Sequence, residues 1–133
     1  MADMIFNKTT LNIGNNAMNF STDTIKCALV TVEPVVTWEG YTDITNEFVG
    51  TGYTVGGVAV AVTWANSGVV AKLDSENPIW DPITATGLLY AIFYSDTSTG
   101  KKLICAKDFG GAQSVTDNEF EVKVDDAGLI SIP

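Results

Sequence analysis

The side chains that could do chemistry in this chain are mainly carboxylates. The sequence has 16 Asp and Glu against 7 Lys, and it contains neither His nor Arg. Without an imidazole, a Ser or Cys nucleophile lacks its usual general base, and zinc lacks its commonest nitrogen ligand. Without a guanidinium, the chain lacks the bidentate clamp that binds carboxylates and phosphates. The composition therefore predicts a protein that is not an enzyme and that uses no metal or cofactor.

Acidic groups near predicted turns raise calcium binding as an alternative, because Ca²⁺ takes six to eight oxygen ligands. The closest groupings are residues 96–100, and Asp125 and Asp126 together with Asp117. Neither grouping follows the twelve-residue pattern of an EF-hand loop. Asp is also frequent in turns, where its side chain accepts a hydrogen bond from a nearby backbone amide. We therefore interpret these residues as turn formers.

Two further patterns could suggest chemistry but have structural explanations. Cys27 and Cys105 lie inside apolar runs and lack the close spacing of metal ligands, so we interpret them as buried thiols, with a disulfide as the alternative. The glycine-rich segment 50–57 resembles a dinucleotide-binding loop. A dinucleotide-binding loop leads into a helix, whereas this segment precedes a predicted strand. We therefore interpret it as the start of a strand, with a bulge.

Aromatic residues could form a platform for stacking on a sugar or a base. Trp64, Tyr90 and Tyr94 follow the period of predicted strands, which favours a place in the core. Trp80 is different, because it stands between Pro78 and Pro82 in a predicted loop. Its ring either folds back onto the protein or projects into a partner, and the sequence leaves both possibilities open.

The length and composition of the chain predict one folded domain. It has 133 residues, of which 46% are hydrophobic and 17% charged, and these values are typical of a globular protein. A net charge of −9 would repel phosphate backbones and anionic lipids, so neither nucleic acid nor a membrane is an expected partner. The first residues have an acid at Asp3 and no basic region, which argues against a secretory signal.

Hydrophobic residues alternate along most of the chain, which predicts β-strands. Residues 24–32 place Ile25, Cys27 and Leu29 on one face of a half-buried central strand, and residues 57–64 form a strictly alternating strand. A turn at 66–68 should lead into a return strand, and residues 87–94 are apolar enough to be buried on both faces. Three further strands are predicted, at residues 102–109, 119–124 and 129–132.

The connections between these strands predict how they are wired. The prolines around Trp80 should prevent regular pairing, and Gly110 and Gly111 should end the strand before them. Residues 33–52 form a long connection that should cross from one sheet to another, with one helical turn around 43–48. The predicted fold is therefore all-β, an antiparallel β-sandwich of jelly-roll or Greek-key type, over residues 1–133. Residues 1–22 could be a first strand or an N-terminal arm on a neighbour.

Four segments carry a resemblance to a known family. Residues 23–31, 45–58, 89–97 and 108–132 resemble small virion structural proteins of tailed bacteriophages, of the capsid cement or decoration type. The resemblance implies a β-sandwich that sits on the outer surface of the head shell at subunit junctions. It implies the major capsid protein as partner, and a location on the virion after synthesis in the host cytoplasm. It supplies no catalytic or ligand residue.

In this hypothesis the protein contacts the shell through apolar residues of the arm and of the proline segment. The predicted contact residues are Met4, Ile5, Phe6, Leu11, Phe20 and Trp80. Association with further copies of itself, as a dimer or trimer, is compatible with the same exposed residues. The alternatives are a glycan-binding β-sandwich on the virion surface and a structural component of the tail or baseplate.

Overall fold

The computed structural model describes residues 4–132 and consists mainly of two antiparallel β-sheets. The predicted all-β sandwich is confirmed. The elements are β1 (Met4–Ile5), α1 (Thr9–Gly14), β2 (Ile25–Val30), a 3-10 helix (Tyr41–Asp43), β3 (Val58–Val60), β4 (Val62–Ser67), β5 (Val70–Ser75), β6 (Ile79–Ser95), β7 (Leu103–Glu121) and β8 (Ile130–Ile132). Among the described residues, no helix is long and apolar enough to cross a membrane.

The larger sheet has the strand order β1-β7-β6-β2-β3, and the smaller sheet has the order β4-β5-β8. Every pair within the two sheets is antiparallel. The long strands β6 and β7 form one hairpin, whose turn spans residues 96–102. The jelly-roll or Greek-key wiring remains a prediction.

Strand β2 shows why the larger sheet is buried on both faces. Ile25, Cys27 and Leu29 point into the core between the two sheets, as the alternation predicted. Ala28 and Val30 point the other way, into a second hydrophobic core. The strand was predicted to be half-buried, but its small and apolar residues on the second face leave room for a covering layer, so both faces are buried.

The covering layer on the second face is the long connection between β2 and β3. Trp38, Tyr41 and Ile44 of this connection pack against the second core, together with Phe6 from the N-terminal segment. The prediction that residues 33–52 cross from one sheet to the other was wrong. Both strands that the connection joins belong to the larger sheet and pair with each other.

The predicted strand over residues 57–64 is divided between the sheets. The chain leaves the larger sheet after Val60 and enters the smaller sheet at Val62, and Ala61 lies at the change. The alternation was read correctly, because Val58, Val60, Val62 and Trp64 all belong to the core between the sheets. The predicted hairpin that follows is confirmed, with Ser67 paired with Val70.

Two predicted breaks in the hairpin β6–β7 are irregularities within continuous strands. Strand β6 passes through Pro82, and the pairing register shifts between Trp80 and Ile83. Proline has no N–H to donate, and at this irregularity the sheet requires none from it. Strand β7 passes through Gly110 and Gly111, which both have positive φ. These glycines form a bulge between the pairs Leu88–Gln113 and Tyr90–Asp108, and they do not end the strand.

The N-terminal segment is part of the fold. Strand β1 pairs with β7 at the edge of the larger sheet, with Ile5 opposite Cys105. Helix α1 follows and buries Thr9 and Asn12. Residues 4–22 therefore pack on their own chain, and of the two possibilities the first strand is the one observed. Residues 1–3 of the predicted arm lie outside the described residues.

Candidate functional site

Three of the six predicted contact residues are buried within the chain. Phe6 is 2% exposed and belongs to the second core. Phe20 is 5% exposed and its ring lies 5.1 Å from that of Trp64, centroid to centroid. Trp80 is 3% exposed and packs between Tyr53 and Phe120. These side chains stabilise the fold, and the ring of Trp80 folds back onto the protein.

The other three predicted contact residues reach the surface. Ile5 is 46% exposed and Leu11 is 56% exposed, while Met4 is half-buried against the second core. The alternation of β1 explains the difference between neighbours, because Phe6 turns inward where Ile5 turns outward. The predicted surface is therefore smaller than the sequence suggested.

The N-terminal segment is held by several polar contacts. The Thr9 hydroxyl donates to the carbonyl oxygens of Leu103 and Ile104, at 3.2 and 2.8 Å. The backbone N–H of Asn7 donates to the carbonyl oxygen of Val36 at 2.9 Å. Val35 and Val36 of the connection are both exposed, as is Ile5 of β1. We call Ile5, Val35 and Val36 the N-terminal apolar patch.

A second exposed apolar feature is the turn between β4 and β5. Gly68 and Val69 form this two-residue turn, and Val69 is 94% exposed. Residues 62–71 contain no charged side chain, although the whole chain has a net charge of −9. We call residues 66–70 the hairpin tip. The sequence predicted this turn but gave no sign that its apolar residue would project into solvent.

The densest polar cluster is centred on Glu47, which the sequence did not indicate. Its carboxylate accepts hydrogen bonds from the hydroxyls of Tyr41 and Tyr53, and from the backbone N–H of Gly56 at 2.7 Å. The Tyr53 hydroxyl also accepts from the N–H of Leu29 at 3.1 Å. The cluster thus fastens the covering connection to β2. No local pattern reveals it, because its members come together only when the connection folds over the sheet.

Burial raises the pKa of all three tyrosines near Glu47. For Tyr41 and Tyr53 the hydrogen bond to Glu47 adds to the effect of burial, and for Tyr94 the charge of Asp96 adds to it. The phenols therefore stay protonated at neutral pH and act as donors. Tyr94 uses its proton to bond the carbonyl oxygen of Gly56 at 2.6 Å. The arrangement is suited to holding the connection in place.

The acidic turn that suggested calcium contains an ion-pair cluster. Asp96 lies 2.9 Å from the ammonium of Lys101 and 3.4 Å from that of Lys26. The hydrogen bond from Lys101 lowers the pKa of Asp96.

Asp43, in the 3-10 helix, has a lowered pKa as well, because its carboxylate accepts from the backbone N–H groups of Glu39 and Gly40. Within residues 4–132, no group of three or more acidic, Cys or His side chains is placed to hold a metal ion.

The cysteines lie on either side of one core residue. Cys27 and Cys105 are both paired with Phe93 in the larger sheet, one on each neighbouring strand, and both are buried. They do not form a disulfide. Burial raises the pKa of the Cys27 thiol, and the charge of Cys105 raises it further. The interpretation as buried thiols is confirmed.

The chain matches no protein-family model, and neither the curated proteins nor the solved structures contain a match.

Proposed function

We propose that this chain is a non-enzymatic cement protein of a bacteriophage head, which binds the outer surface of the shell and stabilises it. The proposal rests on the resemblance of four segments between residues 23 and 132 to small virion structural proteins. Its partner is the major capsid protein. The compact β-sandwich agrees with this role, because a rigid domain presents the same surface to every shell subunit.

The structural observation that supports the proposal is the exposure of apolar residues on an acidic protein. The N-terminal apolar patch and the hairpin tip expose branched aliphatic side chains, with Val69 at 94%. Exposed branched aliphatic side chains are candidates for protein contact sites. An acidic surface elsewhere keeps free copies apart in solution. The apolar features are therefore our candidates for contact with the shell.

Shell stabilisation follows from binding to the assembled state. A protein that binds only the assembled shell lowers its free energy by mass action, without any chemical step. Each contact can be modest, since many copies act on one particle. The carboxylates of Glu47, Asp43 and Asp96 accept bonds within the chain, so they already have a structural role.

The number of copies in particles tests this proposal. Purified particles that contain the chain would be analysed by quantitative mass spectrometry, with the major shell subunit as the standard. A ratio near one, or a simple fraction such as about one-third, is expected for a protein that decorates the whole lattice. A handful of copies would place the chain in the tail or portal and contradict the cement role. Absence from particles would overturn the virion assignment.

Point variants then test the contact residues. Ile5→Asp and Val69→Asp should each weaken binding to shells that lack the chain by about tenfold or more, because a carboxylate would be buried in an apolar contact. Thr116→Asp adds the same charge at another exposed position and should bind as the parent does. Deletion of residues 1–20 is less informative, since it removes the buried Phe6 and Phe20. Equal binding by all three variants would contradict the proposed contacts.

A further inference from the structure

The second part of β7, residues 109–121, bends back on itself beside a groove. Phe109 and Phe120 lie near opposite ends of this part, yet their ring centroids are only 5.5 Å apart. Gly110, Gly111 and Asp117 have positive φ between them, which bends the strand. A cavity of about 320 Å³ lies beside this part of β7, and both phenylalanines line it. Its volume is at the small end of the range for ligand pockets, about 300–1,000 Å³.

The floor of the groove is aromatic and apolar. The rings of Phe109 and Phe120 meet at 82°, edge to face, and both residues are half-buried. Val122 also lines the cavity and is buried. Phe120 packs in turn on Trp80, with ring centroids 6.4 Å apart, so the floor rests on the core. Such a floor offers an apolar aromatic surface to a ligand that carries C–H groups on one side.

The rim of the groove carries both hydrogen-bond donors and acceptors. The charged residues of the lining are Lys107, Lys123, Asp108, Glu121 and Asp125. Asp108 already accepts from the N–H of Gly110, and Glu121 from the side-chain amide of Asn77. The Gln113 amide donates to the carbonyl oxygen of Gly111 at 3.2 Å, and it has a second N–H donor and an oxygen acceptor. A rim of mixed charge would bind a phosphate poorly, because the carboxylates would repel it. Hydroxyl groups suit this rim, since each one donates and accepts.

The groove is held in shape before any ligand arrives. The N–H of Val122 donates to the carbonyl oxygen of Pro78, and the N–H of Val124 donates to the side chain of Asn77, both at 2.9 Å. On the other side, the N–H of Gly110 donates to the carboxylate of Asp108 at 2.7 Å. A site that needs little ordering loses less free energy on binding.

We propose that this groove binds a neutral saccharide of one or two pyranose rings. The C–H face of one sugar ring would stack on one of the two phenylalanine rings, and its hydroxyls would bond the rim side chains. The groove contains none of the residues of the N-terminal apolar patch or the hairpin tip. The proposed sugar site and the proposed shell contact therefore involve different residues, and an experiment can contradict one proposal without affecting the other.

The test is a titration of the isotope-labelled full chain, followed by amide NMR shifts. The probes are neutral hexoses, N-acetylhexosamines and their disaccharides, at up to about 50 mM because single sugar sites are weak. Saturable shifts confined to residues 107–113 and 120–125 are expected for at least one probe. No saturable shift with any probe, or shifts centred elsewhere, would overturn the proposal. Tighter binding of an acidic oligosaccharide or a short peptide in the groove would also overturn it.

Variants separate a binding role from a folding role. Phe109→Ala should weaken binding about tenfold or more, because it removes half of the aromatic floor. Gln113 and Lys123 are exposed, so Gln113→Ala and Lys123→Ala should keep the fold and reduce affinity several-fold. Lys101→Ala, in the turn at the other end of the hairpin, is the matched control and should bind as the parent does. Unchanged affinity of the Gln113 and Lys123 variants would contradict the assignment, even if the Phe109 variant is unfolded.

Discussion

Phe109 and Phe120 belong to the same strand, β7, and their ring centroids are 5.5 Å apart in an edge-to-face contact. A straight strand would hold these two residues about 36 Å apart, at about 3.3 Å per residue. Bulges with positive φ at Gly110, Gly111 and Asp117 bring them together. The bend creates a groove with an aromatic floor, which no straight hairpin would have.

The closest backbone approach at a glycine occurs at Gly57, and Gly57→Ala is expected to destabilise the protein strongly. Its φ is +83°, and an added Cβ would lie 1.7 Å from the carbonyl oxygen of Cys27. The strand β2 would have to move, at a cost of about 3 kcal/mol or more. Urea denaturation measures the loss. Gly14→Ala is the control, because no atom lies within 4 Å of the added Cβ and Ala favours helix. Equal stabilities of the two variants would contradict this account.

The Glu47 cluster is expected to stabilise the covering connection. Glu47→Ala leaves the Tyr41 and Tyr53 hydroxyls and the Gly56 N–H without their acceptor, so the free energy of unfolding should fall by about 2–3 kcal/mol. Tyr53→Phe in both backgrounds completes a double-mutant cycle, and the coupling energy should be about 1 kcal/mol or more. Glu33→Ala, at an exposed position on the same connection, should have little effect. Additive effects of the Glu47 and Tyr53 changes would show that the cluster does not act as a unit.

Stability should fall in acid because Asp43 and Asp96 have lowered pKa values in the folded protein. Each carboxylate has an ordinary pKa of 3.8 and is stabilised in its charged form by its partners. The unfolded chain therefore takes up protons first as the pH falls, so this stabilisation is complete above about pH 5 and is lost progressively below pH 3.8. Urea denaturation between about pH 6 and pH 2.5 measures the slope.

Two variants identify the source of this acid dependence. Asp96→Asn removes one of the titrating groups, and Lys101→Ala removes the cation that contributes most to its lowered pKa. Both should be less stable than the parent at pH 6 and should show a smaller loss of stability in acid. The same slope in the parent and in both variants would rule out Asp96 as a contributor.

The two thiols are expected to be unreactive while the protein is folded. Cys27 and Cys105 are fully buried, and burial raises the pKa of Cys27. Since the thiolate is the reactive form, a thiol reagent should modify neither residue quickly in buffer and both in denaturant. Val69→Cys provides the control, because this position is 94% exposed and the new thiol should react at once. Rapid modification of the native parent would show that the sheet opens locally.

The sequence by itself determined where most strands lie and which of their residues share a face. A period of two separated the two faces of β2, turn residues marked the hairpin between β4 and β5, and a nearly continuous apolar run marked the buried half of β6. This reading works because each strand places alternate residues on opposite faces, whatever its neighbours are. Turn residues around Gly68 and Gly128 then mark where the chain reverses.

The tertiary structure alone decided which interruptions end a strand and which only bend it. Pro82 and the pair Gly110–Gly111 looked like breaks, but pairing resumes beyond each of them after a shift in register. Local sequence does not reveal this, because the pairing depends on a partner strand that is distant along the chain. The burial of Trp80 has the same cause, because its partner Phe120 is distant along the chain. The donors to Glu47 and the pair Phe109–Phe120 are close in sequence, but they meet only because the connection folds over the sheet and β7 bends.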